Sequence, residues 1–198
     1  MIGNNFLTDP TYLKLEAIMH RRSLLPHLIG FSFLLLILMG SSIPPLAGET
    51  VFNHKGISLT LPDGWTTQEI PSNFEKEVIA WLQSEKIAGT TVMVFLYKGW
   101  RYNYSSVRIG ALKTIAASYP KGQEMLKKPE KIKTDTGSTA VIEFWRGAVD
   151  AGGQTVFLET PMGILETKAG WLLMLGFAPS ASGPPLEEDF LKIIKSAK

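Results

Sequence analysis

The sequence predicts an α+β fold, in which a mostly antiparallel sheet packs against helices. Two observations lead to this fold class. After residue 48, the periodic segments follow in the order strand, hairpin, helix, several strands and helix, an order that is typical of an α+β sandwich. In addition, Trp171–Leu175 is apolar at every position, which predicts a central strand that is covered on both faces.

Three strands are predicted in the first part of this region. In Ile57–Leu61 apolar residues alternate with Ser and Thr, which predicts a half-buried strand, and Pro62–Gly64 then supplies turn residues. Val78–Gln83 and Thr91–Tyr97 are two further strand-like runs. Because only a short link containing Gly89 separates them, we expect these two runs to form a hairpin.

The period becomes helical between Ser105 and Tyr119. The apolar face of this predicted helix consists of Val107, Ala111, Leu112, Ile115 and Tyr119. Ser105 or Ser106 is expected to cap the start of the helix. Pro120 and Gly122 are expected to end it. The sequence therefore predicts one amphipathic helix in the middle of the domain.

Strand patterns dominate again after a lysine-bearing connection. Four segments are predicted as strands: Thr139–Trp145, Thr155–Thr160, Gly163–Thr167 and Trp171–Phe177. Turn or break residues separate them, namely Gly152, Gly153, Pro161, Ala169 and Gly170. A final helix is then predicted from its apolar stripe, which consists of Leu186, Phe190, Ile193 and Ile194. Acidic residues near its start and lysines near its end interact favourably with the helix dipole.

The start of the chain has the layout of a secretory signal peptide. Arg21 and Arg22 precede a nearly unbroken apolar run, and small residues and prolines follow the run up to Ala47. As a helix, Leu28–Met39 would span about 18 Å, whereas a bilayer core is about 30 Å thick. The run is therefore better suited to cleaved export than to anchoring. An uncleaved inner-membrane anchor is the alternative.

These features divide the chain into a signal peptide at residues 1–47 and a single domain at residues 48–198. The cut is expected between residues 42 and 47, and Met19 is an alternative start because basic residues follow it closely. The chain has no cysteine, which excludes disulfides, thiol catalysis and a lipid-modified cysteine. Exported domains without cysteine are common in bacterial envelopes, so the predicted location is periplasmic or secreted.

The predicted domain carries no strong charge and no recognisable catalytic motif. Residues 48–198 contain 17 basic and 16 acidic side chains, so no strong field is available to hold nucleic acid. His54 is the only histidine among them, which excludes a histidine-based metal cluster. The carboxylates near the strands are interpreted as outward-facing residues: Glu143, Asp150, Glu159 and Glu166. We therefore predict no catalytic residue, no metal and no cofactor, and we do not expect an enzyme.

One group of side chains is a candidate binding site. It lies in the link between the predicted strand Thr91–Tyr97 and the first helix. It consists of Lys98, Trp100, Arg101, Tyr102 and Tyr104. Aromatic residues and arginine are enriched at binding hot spots, so the link is a candidate protein-binding surface. The alternative is that Trp100 and one tyrosine cap the core while Arg101 stays solvated.

A second basic group occurs in the connection that follows the first helix. It consists of Lys127, Lys128, Lys131 and Lys133. These lysines either contact an anionic surface or form a solvated edge or loop, where exposed lysines discourage edge-to-edge strand pairing.

Segments near both ends of the predicted domain resemble the PsbP-like and DcrB-like domains. Gly56–Trp65 is similar to their opening strand and turn, and Gly170–Pro179 followed by Phe190–Ser196 is similar to their last strand and helix. The resemblance covers roughly residues 56–198. It implies an α/β/α sandwich whose mostly antiparallel central sheet is flanked by helices. It also implies an exported accessory that binds another protein and shares no catalytic residues.

The chain departs from the lipoprotein members of these families because it lacks cysteine, so no lipid tether is implied. It also gives no sign of a photosynthetic partner. The leading hypothesis is an exported, non-catalytic accessory domain that binds a protein partner in the cell envelope. The alternatives are a binder of a small apolar ligand or lipid between sheet and helix and, less favoured, an envelope hydrolase.

Overall fold

The computed structural model of the chain describes residues 48–71, 74, 76–151 and 153–198. The strands are β1 (Thr50–His54), β2 (Ile57–Leu61), β3 (Trp65–Gln68), β4 (Val78–Ser84), β5 (Thr91–Tyr97), β6 (Gln123–Lys133), β7 (Thr139–Ala151), β8 (Gln154–Thr167) and β9 (Gly170–Pro179). The helices are α1 (Tyr104–Ser118) and α2 (Gly183–Lys195), and a short 3-10 turn at Ser180–Ser182 precedes α2. The predicted signal peptide at residues 1–47 lies outside the described residues.

Seven of the described strands form a single antiparallel sheet in the order β3-β4-β5-β9-β8-β7-β6. The middle strand, β9, is hydrogen-bonded to β5 on one side and to β8 on the other. Its residues Leu172, Leu173 and Met174 are completely buried although they point alternately to opposite faces. The prediction of a central strand covered on both faces is therefore confirmed.

Each face of the sheet has its own apolar cluster. On one face, α1 contributes Val107, Ala111, Ile115 and Tyr119, which pack with sheet residues such as Phe95, Leu173 and Leu175. On the other face, α2 and the β1–β2 hairpin contribute residues such as Phe190, Ile193, Ile194 and Leu59, which pack with Val94, Ile142 and Met174. The predicted α+β fold, an α/β/α sandwich with an antiparallel central sheet, is confirmed.

The end of α2 is tied to the β1–β2 hairpin by backbone hydrogen bonds. Ser58 N donates to Lys198 O at 2.8 Å, and Lys198 N donates to Ser58 O at 3.2 Å. Thr60 N also donates to Ser196 Oγ at 2.8 Å. These bonds hold the hairpin and α2 together as one covering layer. Neither described helix has the length and apolar character that a bilayer span requires.

Three strands of the structure were not predicted: β1, β3 and β6. The short strand β3 pairs with β4 at the edge of the sheet. Thr50–His54 carries no predicted strand, but it pairs residue for residue with β2. The lysine-bearing connection is mostly strand β6, an edge strand in which most side chains are exposed and only Leu126 and Ile132 are half-buried. An edge strand with so little burial lacks the alternation of apolar residues that predicts a strand.

Two predicted boundaries in the sequence were also wrong. The break at Pro161 does not occur, because β8 continues through it and Pro161 pairs with Phe144 of β7. Pairing with β9 is interrupted between Glu159 and Met162, where the missing N–H of proline is tolerated. The first helix is capped by Asn103 rather than by a serine, although Ser106 completes the capping box from inside the helix.

Tyr119 fixes the end of α1 against the sheet. Its side chain is only 2% exposed and its ring lies over the backbone of Gly147 in β7. The phenol is hydrogen-bonded to the hydroxyl of Thr160 in β8. Because burial disfavours the phenolate, the pKa of Tyr119 is raised from 10.0 to about 12.

The raised pKa of Tyr119 predicts a loss of stability at high pH. Below pH 10 the phenol is neutral in both the folded and the unfolded chain, and its stabilising effect is fully present. Between pH 10 and pH 12 the unfolded chain releases this proton first, so the free energy of unfolding should fall by roughly 2–3 kcal/mol. Urea unfolding at about pH 9 and about pH 12 would measure the decline. The free energy of unfolding of Tyr119→Phe should fall by about 2–3 kcal/mol less than that of the wild type over this pH range. Equal declines in the two proteins would refute the raised pKa of Tyr119.

Candidate functional site

The residues between β5 and α1 form a tight turn, here called the Trp100 loop (residues 98–102). Gly99 adopts a positive φ of 109°, and the N–H of Tyr102 donates to the carbonyl oxygen of Gly99 at 3.2 Å. At the tip of this turn, Trp100 is 98% exposed. The alternative that Trp100 caps the core is therefore wrong. A tryptophan in this position presents almost its whole indole to solvent.

Tyr102 holds the Trp100 loop against the sheet. Its ring centroid lies 5.1 Å from that of Tyr97, the last residue of β5. The guanidinium of Arg101 lies 5.1 Å from the Tyr102 ring centroid, and its NH2 group donates to the Tyr102 hydroxyl at 3.3 Å. Asn103 then caps α1, as its side chain accepts a 2.9 Å hydrogen bond from Ser106 N. The loop is thus braced at both ends while Trp100 remains free of the core.

A pocket of about 300 Å³ opens beside this loop and is lined by four cationic side chains. We call it the cationic pocket, and its cations are Lys55, Lys76, Lys98 and Arg101. Glu77 is the one acidic residue in its lining, and Ile79, Leu96 and Tyr102 complete it. The cations come from three places in the fold: the β1–β2 turn, the segment before β4 and the Trp100 loop.

Lys55 reaches the pocket from an unusual backbone position. His54 pairs with Ile57, so Lys55 and Gly56 form a two-residue hairpin turn. Their φ angles are 51° and 85°, as a type I′ turn requires, and the first position of such a turn favours Asn, Asp or Gly. A lysine with this φ costs about 1–2 kcal/mol of stability. Lys55 is the only described residue other than glycine with a positive φ.

Tyr104 does not join the other predicted site residues. It lies in the first turn of α1, beside Arg108 and Glu143, and burial is the main reason that its pKa is raised above 10.0. Lys98, Arg101 and Tyr102 line the cationic pocket, and Trp100 projects next to it. The structure therefore brings together four of the five predicted residues and places Tyr104 on the α1 face of the sheet.

A buried carboxylate lies next to Tyr104. The side chain of Glu143 is 1% exposed, so the prediction that it faces outward is wrong: it lies on the α1 side of the sheet, where Arg108 of α1 reaches it. Arg108 of α1 donates to its two oxygens at 2.6 Å and 3.2 Å, and Trp145 Nε1 donates at 3.1 Å. These donors satisfy the charge, and the hydrogen bond to Glu143 raises the pKa of Arg108.

A larger, open cavity of about 600 Å³ lies on the same face and is called the α1-face cavity. Its lining mixes apolar and polar side chains and includes Tyr104, Val141, Ile164 and Trp171, with Lys131 and Glu166. Of the predicted lysine group, Lys131 lines this cavity, and Lys127 instead pairs with Glu187 of α2. The lysines thus lie along a solvated edge strand, one of the two outcomes expected for them.

The remaining chemical candidates are dispersed. Asp150 pairs with Lys121, and Glu159 pairs with Arg146 at 3.3 Å. His54 is exposed in the β1–β2 hairpin, with its ring centroid 6.2 Å from that of Phe52. Within the described residues, no three side chains of the types that ligate metals come together.

Two members of the cationic pocket, Lys55 and Lys76, were not predicted as site residues. Gly56 suits the second position of a two-residue hairpin turn, but lysine is not one of the residues that mark the first position. The turn was not recognised because Thr50–His54 was not predicted as a strand. No local pattern marks Lys76, which reaches the pocket only through the pairing of β4 with β5.

Comparison with solved structures identifies the architecture. The chain is similar to the solution structure of a cyanobacterial PsbP (CyanoP) from Synechocystis sp. PCC 6803, with a TM-score of 0.55 and 13% sequence identity over 81% of this chain and 98% of that chain. It also matches PA94, a protein of unknown function from Pseudomonas aeruginosa, with a TM-score of 0.41 and 14% identity over 75% of this chain and 95% of that one. No family model and no curated protein matches the sequence. The fold of this chain is PsbP-like, as the sequence resemblance implies.

Proposed function

We propose that this chain is an exported, non-catalytic accessory domain that binds a protein partner in the cell envelope through the Trp100 loop. The observation that carries the proposal is the 98% exposure of Trp100 on a braced turn. An indole has up to about 250 Å² of surface to bury, and tryptophan is among the residues most enriched at binding hot spots. A partner that covers it gains a large apolar contact.

The loop is prepared for such binding before the partner arrives. The rings of Tyr102 and Tyr97 pack together in a tilted arrangement, and Arg101 lies over Tyr102. These contacts restrict the backbone on either side of Trp100, so less conformational entropy is lost on association. Arg101 adds a planar group with several donors beside the indole, which is a second feature of protein interfaces.

Export and the absence of catalysis are supported by different observations. The signal-like segment at residues 1–47 supports export to the envelope. The PsbP-like fold supports an accessory role by analogy with domains of that fold. A hydrolase would need reactive polar groups in a cleft. Among the described residues, Glu143 is the one charged side chain that is buried, and its carboxylate already accepts from Arg108 and Trp145.

The proposal is tested by affinity capture from the native envelope fraction with the wild-type chain and with Trp100→Ala. We expect the variant to capture at least about tenfold less partner than the wild type, because truncation of a hot-spot residue costs about 2 kcal/mol or more of binding free energy. Its melting temperature should not change, since Trp100 contributes nothing to the core. Phe157→Ala is the matched control, because Phe157 is another exposed aromatic residue, 53% exposed on β8. Equal capture by all three proteins would remove the Trp100 loop from consideration.

The α1-face cavity favours a second candidate function, the binding of a small apolar ligand or lipid. Ile164, Val141 and Trp171 give it apolar lining, and its volume of about 600 Å³ lies within the range of small-molecule sites. Native mass spectrometry of the same captured samples separates the two functions. An adduct that is retained without any co-purifying polypeptide would favour the ligand over the protein partner.

A further inference from the structure

We propose that the cationic pocket beside Trp100 is an anion-binding site, which receives an acidic side chain of the protein partner while the indole covers a neighbouring apolar residue. This inference rests on the proposed function and adds to it the chemistry of the partner segment. The partner is expected to present a carboxylate next to an apolar residue.

Positive charge is concentrated in this pocket and is not neutralised by the described residues. Its four cations face one acidic residue, Glu77, in the lining. None of the four forms an ion pair with a described residue, whereas other lysines do, including Lys86 with Asp63 and Lys127 with Glu187. Residues 48–198 are almost neutral as a whole. The pocket therefore differs from the rest of this surface, and it provides a local attraction for an anion.

The strained backbone at Lys55 supports a functional role for the positive charge of this lysine. The turn position that Lys55 occupies favours asparagine or glycine, and a lysine there has a positive φ of 51°. Residues held in sparsely populated backbone regions cluster at functional sites, where the rest of the structure tolerates the strain. The strain has a functional explanation if the ammonium group of Lys55 is needed in the pocket.

The shape of the pocket favours a side chain over a lipid surface. The cations surround a concave space of about 300 Å³, whose lining also includes the nearly buried residues Ile79 and Leu96 and the half-buried ring of Tyr102. A carboxylate on a short methylene stem fits such a space, because the oxygens meet Lys and Arg donors while the stem can lie against the Tyr102 ring. A flat membrane surface would instead favour several projecting aromatic residues. Trp100 is the one aromatic residue of this loop that is fully exposed.

The experiment uses the 15N-labelled protein, purified from the envelope fraction of the cells that produce it. The probe is a synthetic peptide in which glutamates surround one leucine. The comparison peptide has glutamine in place of each glutamate. The readout is the indole N–H resonance of Trp100, which is assigned by its disappearance in Trp100→Phe. We expect the glutamate peptide to shift this resonance and to bind at least tenfold more tightly than the glutamine peptide. Its affinity should fall as salt is added, because the attraction is largely electrostatic.

Two substitutions that each remove one positive charge test the site. Lys55→Asn places a favoured residue in the turn, so the melting temperature should stay the same or rise while peptide affinity falls about two- to fivefold. Lys113→Gln is the matched control, since Lys113 is exposed on α1 and does not line the pocket. Its peptide affinity should be unchanged. Equal losses in the two variants, or equal affinity for the two peptides, would overturn the proposal.

Anionic and neutral lipid vesicles and inorganic phosphate are the remaining probes. If the Trp100 resonance shifts with anionic vesicles and not with the glutamate peptide, the ligand is a lipid headgroup and not an acidic peptide, and the proposal is refuted. Envelope capture separates this inference from the proposed function. If Trp100→Ala abolishes capture and Lys55→Asn with Lys98→Gln does not weaken it, the partner binds without the anion site. If Trp100→Ala captures normally, the proposed function fails whatever the peptide result.

Discussion

Arg108→Ala should lower the free energy of unfolding by about 3–5 kcal/mol, because it leaves the Glu143 carboxylate buried without its cation. The side chain of Glu143 is 1% exposed, and Arg108 donates two hydrogen bonds to its carboxylate at 2.6 Å and 3.2 Å. Trp145 Nε1 would remain as a donor, but it carries no charge. Urea unfolding followed by circular dichroism measures the change.

A matched arginine separates this effect from the loss of any ion pair. Arg146 is also partly exposed and lies 3.3 Å from Glu159 and 3.8 Å from Glu124, but its partners are more exposed than Glu143. Arg146→Ala should therefore cost about 1 kcal/mol or less. The double change Arg108→Met with Glu143→Leu removes both charges and should recover most of the lost stability. If Arg108→Ala costs no more than Arg146→Ala, Glu143 is not the buried charge that the geometry indicates.

The parts of the fold that the sequence predicts are those with dense local patterns. Trp171–Leu175 is apolar on both faces and became the central strand β9, because only a doubly covered position accepts such a segment. The stripe of Phe190, Ile193 and Ile194 became the buried face of α2. In both cases the residues that define the element also form the core, so pattern and packing agree.

Elements defined by their neighbours could not be predicted in this way. β6 is a strand because β7 supplies its hydrogen-bonding partner, although most of its own side chains are exposed. Glu143 is buried on the α1 side of the sheet, where its partner Arg108 comes from a helix that ends more than twenty residues earlier. The cationic pocket likewise depends on tertiary structure, since Lys55 and Lys98 are brought together only when the β1–β2 hairpin meets the end of β5.

Gly147→Ala should be as destabilising as the loss of Arg108, at about 3–5 kcal/mol. A Cβ atom at residue 147 would lie 2.0 Å from Cγ of the Tyr119 ring, well inside van der Waals contact. The ring cannot move aside easily, because Tyr119 is 2% exposed and its hydroxyl is bound to Thr160. Relief of the clash requires the ring to leave its site, which is comparable to deleting a buried aromatic side chain. Thermal and urea unfolding measure the loss.

A double substitution shows whether the clash with Tyr119 is the cause. Tyr119→Ala alone should cost about 3–5 kcal/mol through the cavity that it leaves. Adding Gly147→Ala to it should cost almost nothing further, so the two changes should be strongly non-additive. Gly110→Ala is the control glycine: it lies in α1 with nothing within 4 Å of its Cβ position, and there alanine should stabilise the helix by up to about 1 kcal/mol. Additive losses at Gly147 and Tyr119 would mean that the alanine strains the strand itself rather than displacing the ring.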